Sequence, residues 1–112
     1  MNPKDAQLIK RLIEKTNAKE ITWTTTSKPM QFALSLSSNQ LLIERMPPTL
    51  STIRYKFTIL DNNGMDIESI VKTGTISSQD PDFIAFRNLF ETARRNANAI
   101  DDTIDNILDE LR

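Results

Sequence analysis

Apolar and polar positions along the 112 residues change their period twice, and each change marks a boundary between kinds of element. Leu8, Ile9, Leu12 and Ile13 recur at helical spacing on one face of the opening stretch, which predicts a helix within residues 1–19. Asn2 suits its N-cap, Pro3 stands where an unpaired N–H is lost at no cost, and Asp5 places negative charge in the first turn. From residue 20 the pattern alternates instead. Ile21, Trp23 and Thr25 share one parity of Glu20–Thr26, and Met30, Phe32, Leu34 and Leu36 share one of Met30–Ser37. A third strand runs from Leu41 to Met46 and stops at Pro47-Pro48, because proline cannot donate to a ladder.

The next two strands form a hairpin. Ile53, Tyr55, Phe57 and Ile59 alternate with Arg54, Lys56 and Thr58 before the turn Asp61-Asn62-Asn63-Gly64. With Gly64 in a left-handed bulge position, Asp61 pairs with Met65 and the expected register sets Ile59 against Ile67, Phe57 against Ser69 and Tyr55 against Val71. The alternative, with Ile59 opposite Glu68, is disfavoured because it would turn a carboxylate toward the core. Gly74 marks a bend near the end of the fifth strand.

Beyond Asp80, an N-cap followed by Pro81, the helical period returns. Phe83, Phe86, Phe90, Ala93, Ala97, Ile100, Ile104, Ile107 and Leu111 alternate steps of three and four, a heptad seam. A continuous helix over 82–112 would extend about 46 Å, against a globule roughly 34 Å across. Such a helix must overhang, bend or meet another chain, and Asn96 and Asn98 are the weak helix formers where a bend would fall. Its first half is broad, with Ile84 and Leu89 beside the phenylalanines. Its second half is narrow, gains only Leu108, and is flanked by Asp101, Asp102, Asp105, Asp109 and Glu110. The expected fold is therefore α+β in one domain: an N-terminal helix (1–19), a five-strand antiparallel meander (20–77) and a long C-terminal helix (80–112), with the helices on one sheet face.

Composition narrows the chemistry. The chain has neither Cys nor His, so zinc, copper, haem and iron–sulfur sites lose their usual ligands, and thiol or Ser-His catalysis has no reagents. No cofactor and no enzymatic activity are expected. Two glycines cannot build a phosphate cradle. The segment 61–68 fails as a calcium loop, since counting back from Gly64 puts Ile59 at the first ligand position. The four aspartates 101, 102, 105 and 109 share a helix side, which could hold a divalent ion but reads more simply as a solvated face.

Charge is lopsided along a nearly neutral chain. Residues 1–60 carry nine basic against four acidic side chains, and residues 61–112 carry five against eleven. No polybasic footprint exists, so nucleic acid is not an expected partner; the acidic C-terminal helix instead offers a surface to a basic protein. An alternative places single-stranded nucleic acid or a small ligand on the sheet, stacked on Trp23, Phe32, Tyr55 and Phe57 beside Lys28, Arg54 and Lys56. The absence of an apolar signal core and of any apolar run near 18 residues leads to the expectation of a cytoplasmic protein without membrane contact.

Leu12-Ile13-Glu14-Lys15-Thr16 leading to Ile21-Thr22-Trp23, the strand Tyr55-Lys56-Phe57-Thr58-Ile59 with its turn, and Leu89-Phe90-Glu91-Thr92-Ala93-Arg94-Arg95 together resemble a loose group of small uncharacterised bacterial proteins. The resemblance implies a helix–meander–helix layout and a prokaryotic source, and it implies no activity or site residues.

By elimination, the expected function is that of a non-catalytic protein–protein interaction module. In it Ala97, Ile100, Ile104, Ile107, Leu108 and Leu111 pack against a second copy to form a homodimer, or else fold back on Leu8, Leu12 and Ile13 of the same chain.

Overall fold

The computed structural model describes all of residues 1–112. Helix α1 (Pro3–Asn17) precedes five strands, β1 (Thr24–Thr25), β2 (Gln31–Ser35), β3 (Asn39–Arg45), β4 (Ile53–Asp61) and β5 (Asp66–Gly74), and two helices follow, α2 (Pro81–Ala97) and α3 (Ile100–Glu110). The sheet is an antiparallel meander in the order β1-β2-β3-β4-β5. The helix starts agree with the sequence. Asn2 Oδ1 accepts from the Asp5 N–H at 2.8 Å, and Asp80 Oδ1 accepts from the Asp82 N–H at 3.2 Å, each before a proline at the head of the helix.

α1 and α2 lie side by side and parallel on one sheet face. Their N-termini meet where the Met1 amine reaches the Asp82 carboxylate at 2.9 Å, with Lys72 Nζ at 3.5 Å. Ile9 and Leu12 from α1, with Phe83, Phe86, Leu89, Phe90 and Ala93 from α2, close over Phe32, Leu34, Leu41, Ile43, Tyr55 and Phe57 of the sheet. Aromatic rings run continuously through this layer: Phe83 lies 5.5 Å from Tyr55, Tyr55 5.4 Å from Phe90, and Phe90 5.6 Å from Phe32, all tilted as ring quadrupoles favour. The opposite sheet face presents Gln31, Glu44, Lys56, Thr58 and Val71 and carries no helix.

The expected strand over 20–26 is reduced to two residues, and hydrogen bonding explains why. α1 ends with Lys19 at φ 60° in a Schellman turn, the Lys19 N–H donating to Thr16 O and the Glu20 N–H to Lys15 O. The Trp23 N–H then donates to Asn96 Oδ1 at 2.6 Å instead of to a strand. Trp23 is anchored at both ends, for its indole Nε1–H donates to Thr16 Oγ1 at 2.9 Å, and the Thr16 hydroxyl donates to Leu12 O at 2.6 Å.

The β4–β5 register departs from expectation. The turn forms as predicted, with Gly64 at φ 81° and the Asp61 N–H donating to Met65 O at 2.9 Å. A second irregularity then follows between Ile59 and Leu60: Leu60 pairs with Asp66 and Ile59 with Glu68, so that Phe57 faces Ile70 and Tyr55 faces Lys72. Ile67 is squeezed out and exposed. The carboxylate that seemed prohibitive is harmless because β5 is the sheet's edge and Glu68 lies in solvent. Bulge and charges together blunt that edge against pairing with other strands.

The largest correction concerns the C-terminal helix. It is not one rod: α2 stops at Ala97, Asn98 and Ala99 turn the chain, and α3 restarts at Ile100.

Three consequences are open to measurement. Thr16→Val strands the Trp23 indole N–H in the core and should lower unfolding free energy in urea by about 1–3 kcal/mol, with Thr16→Ser restoring most of it. At Gly74 a Cβ would come within 2.8 Å of the Phe83 ring, so Gly74→Ala should cost about 1–3 kcal/mol by overpacking. The hydrogen bond from the terminal amine, helped by Lys72, holds the Asp82 carboxyl below its ordinary value. Its contribution is present above the unfolded value of about 3.9 and is lost as pH falls through the lower folded one. Asp82→Asn should therefore lower Tm at neutral pH, by a margin that shrinks once pH drops below about 3.9.

Candidate functional site

α3 sets the candidate site because none of its residues is buried. Ile100, Ile104, Ile107, Leu108 and Leu111 follow at steps of four, three, one and three, a spacing that collects them on one helical face. Ile104, Ile107, Leu108 and Leu111 are 44%, 50%, 56% and 77% exposed. Asp101, Asp102, Asp105, Asp109 and Glu110 occupy the rest of the circumference, and no basic residue falls within the helix. Scattered surface leucines are ordinary, but four large apolar side chains aligned on an otherwise anionic helix form a contiguous patch.

Of the predicted interaction residues, Ala97 is placed differently from the others. It ends α2 and packs against the core cluster, so it belongs to the globule rather than to the free face. Ile100 sits half-buried at the joint, and the remaining four project from the body.

The joint has its own chemistry. Ala99 adopts φ 50°, ψ 45° and serves at once as the residue after the α2 cap and as the N-cap of α3, with no side-chain cap bond. An alanine there forgoes both the left-handed tolerance of Gly or Asn and the capping oxygen of Ser, Asp or Asn. What fixes the turn is a set of bonds around it. The Asn98 N–H donates to Arg94 O and the Ala99 N–H to Asn96 O, the Thr103 hydroxyl donates to Ala99 O at 3.0 Å, and the Arg95 guanidinium pairs with Asp101. A polar cavity of about 350 Å³ lies beside the joint, lined by Asn17, Lys19, Thr22 and Arg95 against Asp101 and Asp102; its charges are already matched within it.

The remaining candidates are placed as follows. Trp23, Phe32, Tyr55 and Phe57 are all buried beneath the helices, which leaves none of them free to stack a base. Desolvation pushes the Tyr55 phenol above its ordinary value, Arg45 opposing and Glu91 adding to the rise, as expected of a core phenol rather than a proton donor. No group of three or more carboxylates gathers into a set able to hold a metal ion. No helix is long and apolar enough to cross a membrane.

One surface escaped the sequence reading. Along the α1–α2 pair runs an open groove lined by Ala6, Ile13, Ile84 and Ala85, with Lys10 beside the carboxylates of Glu14 and Asp82. Periodicity assigns Ile13 and Ile84 to the core stripe, yet each lies one step around its helix from the buried residues and stays half-exposed. The breadth of both apolar stripes was the available signal, since a helix covered on one side alone needs less.

Comparison with protein-family models, with curated proteins and with solved structures finds no match to this chain.

The joint yields a test of its own. Ala99→Asn should stabilise α3 by about 1 kcal/mol through left-handed tolerance, seen as slower amide exchange over residues 100–110, and Ala99→Val should accelerate that exchange.

Proposed function

We propose that the protein is a non-catalytic interaction module that self-associates through α3. The observation supporting this is the exposed Ile104-Ile107-Leu108-Leu111 face on a helix that the body of the protein leaves uncovered. An 11-residue helix is marginal in water without tertiary packing, so the arm gains its stability by burying this face against something else. Full burial of an Ile or Leu side chain is worth about 1.5–3 kcal/mol, enough for four of them to turn a fraying segment into a firm contact. The lack of a histidine, a thiol or a gathered metal site leaves the face better suited to binding than to turnover.

Sedimentation equilibrium tests the reading. The wild-type chain should sediment as a dimer at tens of micromolar, and Ile104→Asp should be monomeric at the same concentration. Helical ellipticity at 222 nm should rise with concentration in parallel with the mass. A wild-type monomer whose mass is unchanged by Ile104→Asp overturns the proposal.

A further inference from the structure

Self-association through α3 leaves open what receives the arm. Two α3 helices packed on each other would juxtapose five carboxylates per copy with no basic residue inside either helix. Like charges flanking a narrow seam oppose pairing. The groove between α1 and α2 is lined by Glu14 and Asp82 and meets an acidic helix no better. The end of the sheet where β2 begins and β3 gives way to β4 has the opposite character. An open hollow of about 580 Å³ lies there, walled by Met30, Met46, Pro47 and Pro48 with Lys28 and Arg45. Methionine side chains adapt to whatever packs on them. Beside the hollow, Leu50 is fully exposed and holds φ 55° in a turn closed by the Thr52 N–H and hydroxyl, which donate to Thr49 O at 3.1 and 2.7 Å. A left-handed backbone is costly for leucine, yet here it holds an apolar side chain out in solvent.

The charges of tip and arm are complementary. The only carboxylate of the tip, Glu44, already faces Lys28 Nζ at 3.9 Å. Arg45 and Arg54 enter no ion pair; Arg54 donates to Pro47 O at 3.3 Å and leaves its Nε without an acceptor. Arg45 pairs with Tyr55 and so shares its sheet face, whereas Arg54, one residue earlier, belongs to the other. The two free guanidinium groups therefore flank the apolar tip. On α3, Asp101 and Asp109 pair with Arg95 and Arg112, which leaves Asp105 and Glu110 without a basic partner on either side of the apolar face. Within its own chain α3 buries no residue, so the tip that takes it belongs to another copy.

We infer that α3 of one copy docks apolar face down on the sheet tip of a second copy, over Met30, Met46 and Leu50, with Asp105 and Glu110 set against Arg45 and Arg54. Reciprocal seating of the two arms makes an isologous pair, the commonest closed symmetry. This assignment rests on the self-association proposed above and adds its receiving surface.

Charge exchange tests the assignment. A chain with Arg45→Glu and Arg54→Glu, and another with Asp105→Arg and Glu110→Arg, each set like charges together at both contacts and should self-associate about tenfold more weakly than wild type. Mixed in equal amounts they should regain the wild-type dimer in sedimentation, because both contacts are then of opposite sign. The chain contains no cysteine, so single introduced thiols report proximity without background. Met30→Cys and Ile104→Cys proteins, one carrying a tag that marks its mass, should give mainly mixed crosslinks with a short bismaleimide. Pro48→Cys, at an exposed tip position, replaces Met30→Cys if the latter folds poorly. A charge-exchanged mixture no tighter than its components, or predominant Ile104→Cys self-crosslinks, overturns the tip assignment while self-association stands. A doubly substituted chain that crosslinks within a monomer shows the arm on its own tip and overturns it too. A wild-type chain that never exceeds monomer mass removes both readings, and one that instead sediments with phosphatidylserine vesicles gives the tip to a lipid surface.

Discussion

The column of rings from Phe83 through Tyr55 and Phe90 to Phe32 is the constraint on which this molecule turns. It seats α2 over strands β2 to β5, and the other placements follow from that seat. α1 must lie beside α2 because Ile9 and Leu12 need the remaining width of the sheet face, and the partly exposed salt link between Met1 and Asp82 joins the two helix heads. Gly74 is where the column's first ring presses on the backbone, and only a residue without a Cβ leaves room for it.

The same seat decides where the helical rod must stop. Ala93 is the last fully buried residue of α2, and Ala97 the last to touch the core. Past that point the sheet has ended, because Trp23 has already closed the corner by binding Thr16 and Asn96. Asn96 holds this corner through its side chain, and within one turn of it the chain breaks at Asn98 and Ala99. The heptad pattern continues through the break in sequence but not in space. What the pattern describes beyond residue 99 is a separate short helix with its own apolar face, attached by a strained residue.

Much of the fold is legible in the residues themselves. Asn2-Pro3 and Asp80-Pro81 announce helix starts by local chemistry that needs no tertiary information. Tyr55 and Phe57 declare their face by alternation, and the five-strand meander follows from turn residues. The failures share a different cause. Thr24 and Thr25 are all that remains of a seven-residue alternating stretch because the Trp23 amide found a side chain 73 positions away. Ile59 faces Glu68 because an edge strand tolerates a carboxylate that a central strand would not. The candidate site divides the same way: Ile104 to Leu111 stand out by periodicity, whereas the groove between α1 and α2 depends on how two distant helices lie together, which no local pattern encodes.

That pairing of distant helices has a bearing on how the chain acquires its structure. The meander joins only neighbours in sequence, so its hairpins can zip up one after another, and contacts of this kind form quickly. Yet until the ninth and tenth decades of residues arrive, Trp23, Phe32, Ile43 and Phe57 have no roof, and the first helix has no wall to lean on. Until that docking step, the apolar face of the sheet stays open to solvent. Changes that slow this step would promote clumping during synthesis, even where the finished molecule is no less stable.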